Sequence, residues 1–278
     1  LLQLLKDPDT ESAEKKTHPV RDAARDAVAA VGAQYPKLLL DACKDPDGNI
    51  KGQSREALKK IGAPLQKEMA ERLADGDLRG AMGEVLALVG PETIPLIAPY
   101  LKPPLLKEDD TGAKLSLIET MGRFRVPEAA APILPFEKDR EPNVRRAVVT
   151  ALANIGDPVG APVLVAALGS PETDASARAA AAGALGGIAS PVACEALYRA
   201  LKDSDTFVAV AAAAGLRRAG DAGRSQIARA LADPDPAVRA RAAEAAGGLR
   251  TPELAVKGLK DSDALFRGIA AVSRADLL

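Results

Sequence analysis

The chain has 278 residues, 47% hydrophobic and 27% charged, with 37 Lys plus Arg against 38 Asp plus Glu and a net charge of −1. That length can bury a large core, the near-neutral balance argues against a dedicated nucleic-acid binder, and two cysteines exclude a disulfide scaffold. A single histidine excludes a site built on several imidazoles, and no run of 18 apolar residues offers a membrane span.

The chain opens on Leu1–Leu5, an apolar piece without a signal-peptide pattern. It reads as the end of a second helix from a preceding repeat, so the chain is expected to be a fragment of a longer protein. Thr10–Pro19 reads as an inserted loop carrying His18. No His, Cys or Asp stands at ligand spacing around His18, which is expected to be a solvated loop residue rather than a metal ligand.

From Arg21 onward one pattern recurs about every 31 residues. Its anchor column is Arg21, Lys51, Arg79, Lys114, Arg145, Arg178, Ala209, Arg239 and Arg267, cationic everywhere but at Ala209. The residue before each anchor is apolar, from Val20 and Ile50 to Val238 and Phe266. The positions seven and ten after it are apolar too, with Arg274 breaking rank. Offsets of −1, +3, +7 and +10 share one face of an α-helix, so each repeat should hold a helix of about four turns with one apolar stripe.

Acids precede eight of the nine anchors, Arg21 being the exception. Four residues before it stand Asp47, Asp75, Asp110, Glu141, Asp174, Asp205, Asp235 and Asp263; six before it stand Asp45, Glu108, Asp139, Glu172, Asp203, Asp233 and Asp261. They are expected to cap helix N-termini and to pair with the anchor of the same or an adjacent repeat, as a structural ladder rather than a cation-binding site. Pro142 and Pro236 suit the first helical position, and Gly32, Gly62, Gly90, Gly156 and Gly220 suit the C-terminal cap. A shorter second helix follows, for example Val163–Leu168, Ala193–Leu201 and Ser225–Leu231. Lys44, Lys202 and Lys260 sit at its end, where a cation complements the helix dipole.

The middle is irregular. The step from Arg79 to Lys114 is the longest, and Pro95, Pro99, Pro132 and Pro135 fall in expected second helices. Pro99 and Pro135 should kink or shorten them. Residues 102–110 are predicted to protrude, and stacking is predicted to be weakest, with a change of curvature, between the third and fourth repeats. Arg125 stands where other repeats carry Gly. At the far end Phe266–Leu277 reads as a first helix without its partner.

Neither helix of a repeat can bury its stripe alone, so neighbours must stack into an α-solenoid. Asp139-Arg-Glu-Pro-Asn-Val-Arg145, followed by Ala151-Leu-Ala-Asn-Ile-Gly-Asp-Pro158, resembles the short bacterial HEAT repeats shared with phycobilisome bilin lyases. The resemblance implies an all-α, right-handed α-solenoid of about nine two-helix repeats without a β-sheet. It covers 1–278 as a single array: the end of a preceding repeat at 1–9, then 10–44, 45–74, 75–107, 108–138, 139–170, 171–202, 203–232, 233–260 and an incomplete 261–278.

Little chemistry stands out. Cys43 and Cys194 are expected to be small buried hydrophobes. Gly183-Ala-Leu-Gly186-Gly187 and Gly247-Gly248 follow no strand, so they read as close packing and not as phosphate loops. Deoxyhypusine hydroxylases resemble this architecture but need several His-Glu pairs, which one histidine excludes. HEAT-like DNA glycosylases use aromatic residues and a basic face, which this composition lacks. The expected function is a non-enzymatic scaffold for protein–protein interaction, a subunit of a larger assembly. It would have protein partners, no nucleic acid, no membrane span, no catalytic residue, no metal and no cofactor. The alternative is a bilin lyase-like or other prosthetic-group chaperone or enzyme. In HEAT-type stacks the second helices line the concave side, and Lys37, Asp41, Gln66, Lys67, Glu71, Glu195, Tyr198, Arg199, Arg224, Arg229 and Lys257 are expected to point outward there. Their mixed signs suit a protein better than a polyanion.

Overall fold

A computed structural model describes residues 19–32 and 34–247. His18, Lys257, Lys260, Arg267 and the end segments Leu1–Leu5 and Phe266–Leu277 lie outside the described residues. Among the described residues there are fourteen α-helices and no strand.

The first helices of the repeats are α1 (Pro19–Gly32), α3 (Gly48–Ile61), α5 (Gly76–Val89), α7 (Thr111–Phe124), α8 (Pro142–Ile155), α10 (Ala175–Ile188), α12 (Thr206–Arg218) and α14 (Pro236–Gly247). The six from α1 to α10 in this series are 14 residues each, close to four turns. The second helices are α2 (Pro36–Ala42), α4 (Gln66–Glu71), α6 (Ile94–Ile97), α9 (Ala161–Leu168), α11 (Pro191–Ala200) and α13 (Arg224–Ala230).

The acidic loops explain where first helices begin. The acid six before the anchor accepts the backbone N–H of the residue four before it, at 2.8 Å in Asp45–Asp47, 2.9 Å in Asp139–Glu141, 2.8 Å in Asp203–Asp205 and 3.1 Å in Asp233–Asp235. The nearer acid then caps the helix: Asp47 accepts from Asn49 and Ile50, Asp110 from Ala113, Asp174 from Ala177, Asp205 from Phe207 and Val208, and Asp235 from Ala237. Each satisfies an N–H that a helix start leaves without a partner. Glu141 makes no such cap; Pro142 at the first position removes one of the donors instead.

Helix ends follow the glycines, with Gly62, Gly90, Gly156 and Gly220 all at positive φ. The same left-handed backbone persists where glycine is absent, at Arg125 (φ 54°) and Ala189 (φ 53°). Proline shapes the middle as its chemistry demands. Beside Pro99, α6 lasts only four residues before a 3-10 segment, Ala98–Leu101. Around Pro132 and Pro135 there is no second α-helix, only the 3-10 turns Pro127–Ala129 and Leu134–Lys138. Within 102–110, Lys102–Leu105 and Lys107–Asp109 are exposed while Leu106 is buried.

The molecule divides into two compact units after Phe124. In the first, α1, α3, α5 and α7 pack side by side, with α2, α4 and α6 as a second layer. Leu58, Met69, Met82, Leu86, Ile97 and Leu117 are fully buried between them. Gly83 of α5 lies against Thr120 of α7, where a Cβ would come within 2.3 Å of the hydroxyl. The third and fourth first helices therefore stack tightly, and the sequence-based weak point falls too early: the division comes after α7, at Arg125 and the proline-broken second helix of the fourth repeat.

In the second unit α8, α10, α12 and α14 form one layer and α9, α11 and α13 the other. Val148, Leu164, Leu185, Leu197, Leu216 and Ile227 fill the space between. The closest approach joins α10 and α12. A Cβ on Gly186 would stand 2.5 Å from the Gly215 carbonyl oxygen, and one on Gly215 would stand 2.8 Å from that of Ala182. Small residues bring these backbones together, which is how a core so poor in aromatics closes.

Candidate interaction surface

The anchor column acts first on the backbone. Arg79 Nε donates to Leu73 O at 2.8 Å, Arg145 Nη1 to Asp139 O at 2.8 Å and Arg140 O at 3.1 Å, and Arg239 Nη1 to Asp233 O and Pro234 O at 3.0 Å each. These carbonyls lie five and six residues back, in the loop after the preceding second helix, so each guanidinium ties its own loop down. Arg178 reaches Thr173 O in the same way. Sequence reading named acids as partners and missed the carbonyls, because residue columns carry no record of backbone atoms.

Acid–cation pairs between repeats are also present, and those made by the acids of the anchor loops share one direction, whereas Lys60–Asp26, Arg72–Asp41 and Arg229–Glu195 run the other way. Lys44 meets Asp75, Arg79 meets Asp110 at 3.6 Å, Arg146 meets Asp174 at 3.9 Å, Arg178 meets Asp203 at 3.0 Å and Lys202 meets Asp233 at 2.8 Å. In each the cation belongs to the earlier repeat. Arg178 grips Asp203 with two parallel bonds, 3.1 Å from Nε and 3.0 Å from Nη2, the strong fork geometry. Ala209 has no guanidinium to hold its loop; Arg241 of α14 reaches across to Leu201 O instead. Lys51 is half-buried and Lys114 buried, while the Arg21 side chain, like Arg267, falls outside the described part of the molecule.

The second helices carry the outward candidates. In the first unit Lys37 and Asp41 on α2 and Lys67 and Glu71 on α4 are exposed, whereas Gln66 is half-buried. Asp41 pairs with Arg72 at 3.4 Å. In the second unit Arg199, Arg224 and Arg229 are exposed and Glu195 half-buried. Glu195 accepts from Arg199 at 3.2 Å and Arg229 at 3.0 Å, and Arg224 pairs with Asp221 at 2.9 Å.

Tyr198 corrects the sequence reading. It is buried, 8% exposed. The Arg229 guanidinium lies 4.0 Å from its ring centroid, a cation–π stack. Its hydroxyl donates to Asp233 Oδ2 at 2.9 Å, the carboxylate oxygen that Lys202 also reaches. An amphipathic ring is drawn inward when its polar end finds a partner; that partner is an acid 35 residues away, which helical periodicity does not reveal. Burial alone would raise the Asp233 carboxyl, but the Lys202 ammonium, the Asp235 N–H and the Tyr198 hydroxyl outweigh it and hold it below the ordinary carboxylate value.

Both thiols are buried. Burial pushes Cys43 up to about 11 and raises Cys194 as well, so neither supplies a thiolate near neutral pH. Among the described residues no group of three or more His, Cys, Asp and Glu could hold a metal ion, and no helix is long and apolar enough to cross a membrane.

Comparison with known families bears on this geometry directly. Residues 98–175 match the family described as HEAT repeats, and residues 177–203 match the PBS lyase HEAT-like repeat. The chain carries HEAT repeats within residues 98–203. Solved structures agree on the fold, an all-α solenoid. YibA of Escherichia coli is 17% identical, covering 97% of this chain and 98% of its own, with a TM-score of 0.55. Kap121p is 14% identical over 93% of this chain and 35% of its own, with a TM-score of 0.58. An engineered protein is 19% identical over 99% of this chain and 87% of its own, with a TM-score of 0.50. No curated protein sequence matches this chain significantly.

Proposed function

We propose that this protein is a non-enzymatic scaffold that binds protein partners through its second helices, as a subunit of a larger assembly. The observation that supports this most is the character of that face. Lys37, Asp41, Lys67 and Glu71 in one unit, and Glu195, Arg199, Arg224 and Arg229 in the other, reach solvent in both signs. Interspersed charges suit the rim of a protein interface, whereas a polyanion calls for one sign. Asp233, beneath this face, is engaged in a structural pair with Lys202 and Tyr198.

A second reading draws on the match of residues 177–203 to a repeat described from PBS lyases: a lyase-like protein or chaperone acting on a bilin or another prosthetic group. Affinity capture of the intact protein, followed by cross-linking and mass spectrometry, separates the two. The scaffold reading expects a stable protein partner cross-linked through Lys37 or Lys67, with capture weakened by Glu195→Lys or Arg229→Glu. A bound pigment with no stable protein partner would overturn it.

A further inference from the structure

Helix α9 reads Ala-Pro-Val-Leu-Val-Ala-Ala-Leu, without one polar side chain. A helix apolar on every face belongs inside a fold, yet Pro162 and Ala166 are exposed and Val163 and Val165 are half-buried. Two clefts flank it. One, of about 660 Å3, lies between α9 and α11 over Val165, Leu168 and Ala196. The other, of about 570 Å3, lies between α9 and α8 over Val149, Pro162 and Ala166. The next gap in the layer, between α11 and α13, is bridged by Arg229, which covers Tyr198 and pairs with Glu195. No side chain of α9 is long enough to bridge its own gaps, so they stay open.

The rims are charged in an uneven way. Lys138 is 89% exposed against 35% for its partner Glu137, Arg199 is 77% against 33% for Glu195, and Arg146 is 56% against 41% for Asp174. In each pair the cation is the more exposed partner, although Asp174 and Glu172 are themselves exposed acids. Among the described residues of this unit there is no strand, so no sheet edge is offered there to an extended strand, and side chains must carry recognition at this face.

Building on the scaffold reading, we propose that α9 and its two clefts dock an amphipathic helix of a partner protein. The partner's apolar stripe straddles α9, and Asp and Glu beside the stripe meet Lys138, Arg146 and Arg199. Ridges of one helix seated in grooves on both sides of another are ordinary helix packing. The face is small, since α9 has 8 residues, and it gives the partner helix two rows of pockets rather than one.

The test titrates the intact protein, read by fluorescence anisotropy, against labelled peptides of about 18 residues, long enough to sustain a helix. One carries Leu at i, i+3, i+4 and i+7 with Glu between, one has the same Leu pattern with Lys, and one is a scrambled acidic peptide without a stripe. The acidic amphipathic peptide should bind at least about tenfold more tightly than either other peptide. Ala166→Glu, on an exposed position, and Val165→Glu, each with unchanged circular dichroism, should weaken it by about tenfold or more. Arg146→Glu combined with Arg199→Glu should turn the preference toward the Lys peptide. Equal affinity for the three peptides, no binding up to millimolar concentration, or binding indifferent to every one of these substitutions overturns the proposal. If that happens while partner cross-links still fall on Lys37 or Lys67, the α9 site fails and the scaffold reading stands.

Discussion

Ala189 and Arg125 hold positive φ without being glycine, and a Cβ in that region crowds the following carbonyl at a cost of about 1–2 kcal/mol. Ala189→Gly relieves this but loosens the unfolded chain by about 0.4–1 kcal/mol. The net gain should be about 0.5 kcal/mol, read as a rise in the urea midpoint at unchanged slope. Asp233 makes a prediction in pH. Its carboxyl is held below the ordinary value, so the stability it contributes is fully present above the unfolded carboxylate range and is lost as pH falls through the depressed folded value. Asp75, held down by Lys44, and Asp26, held down by Lys60, are shifted in the same direction. Asp233→Asn should therefore lower stability at pH 7 while leaving a shallower acid limb than the parent; an identical acid limb would show that Asp233 carries none of it. At this scale the sequence was least legible. The column of anchors could be seen, but the carbonyls they hold, and the joining of Tyr198 to Asp233, are facts of three-dimensional proximity that no spacing encodes.

Elements were far more legible, because each is set by local chemistry. The acid pair before most anchors, the prolines at first positions and the glycines at ends are interactions over two to four residues, and they place the first helices almost to the residue. Pro99 and Pro135 shorten or abolish their helices for equally local reasons. What could not be read was the tight stacking of α5 on α7, which depends on Gly83 facing Thr120, two residues whose alignment is decided only when helices meet. The glycines of α10 make this testable. Gly186 abuts the Gly215 backbone, whereas a Cβ on Gly183 would meet nothing within 4 Å. Gly183→Ala should stabilise by about 0.5–1 kcal/mol through helix propensity. Gly186→Ala should instead destabilise by about 1–3 kcal/mol, because overpacking must push two backbones apart. Equal effects of the two in denaturant titrations would show that α10 and α12 do not approach this closely.

On the scale of the whole molecule, the described helices within each unit pack mainly on their neighbours in sequence, so stability in each is a chain of local interfaces. Hydrogen exchange on the intact protein reads this out segment by segment. Residues 94–112 hold a four-residue α-helix, a 3-10 segment and an exposed loop, whereas 144–168 run through α8 and α9 with Val144, Val148, Leu152 and Leu164 buried. Amides of 94–112 should exchange markedly faster, and equal protection would contradict the loss of regular structure there. A second measurement concerns how far damage travels. Leu152 is 1% exposed, and Leu152→Ala should cost about 2–5 kcal/mol. In a single cooperative fold that loss would lower protection everywhere. Here it should fall on α8, α9 and α10, which pack together, and leave α3 and α5 at parental protection, since they belong to the other compact unit. A uniform drop across both units would mean that the array unfolds as one body, and the nearest-neighbour description would have to be abandoned.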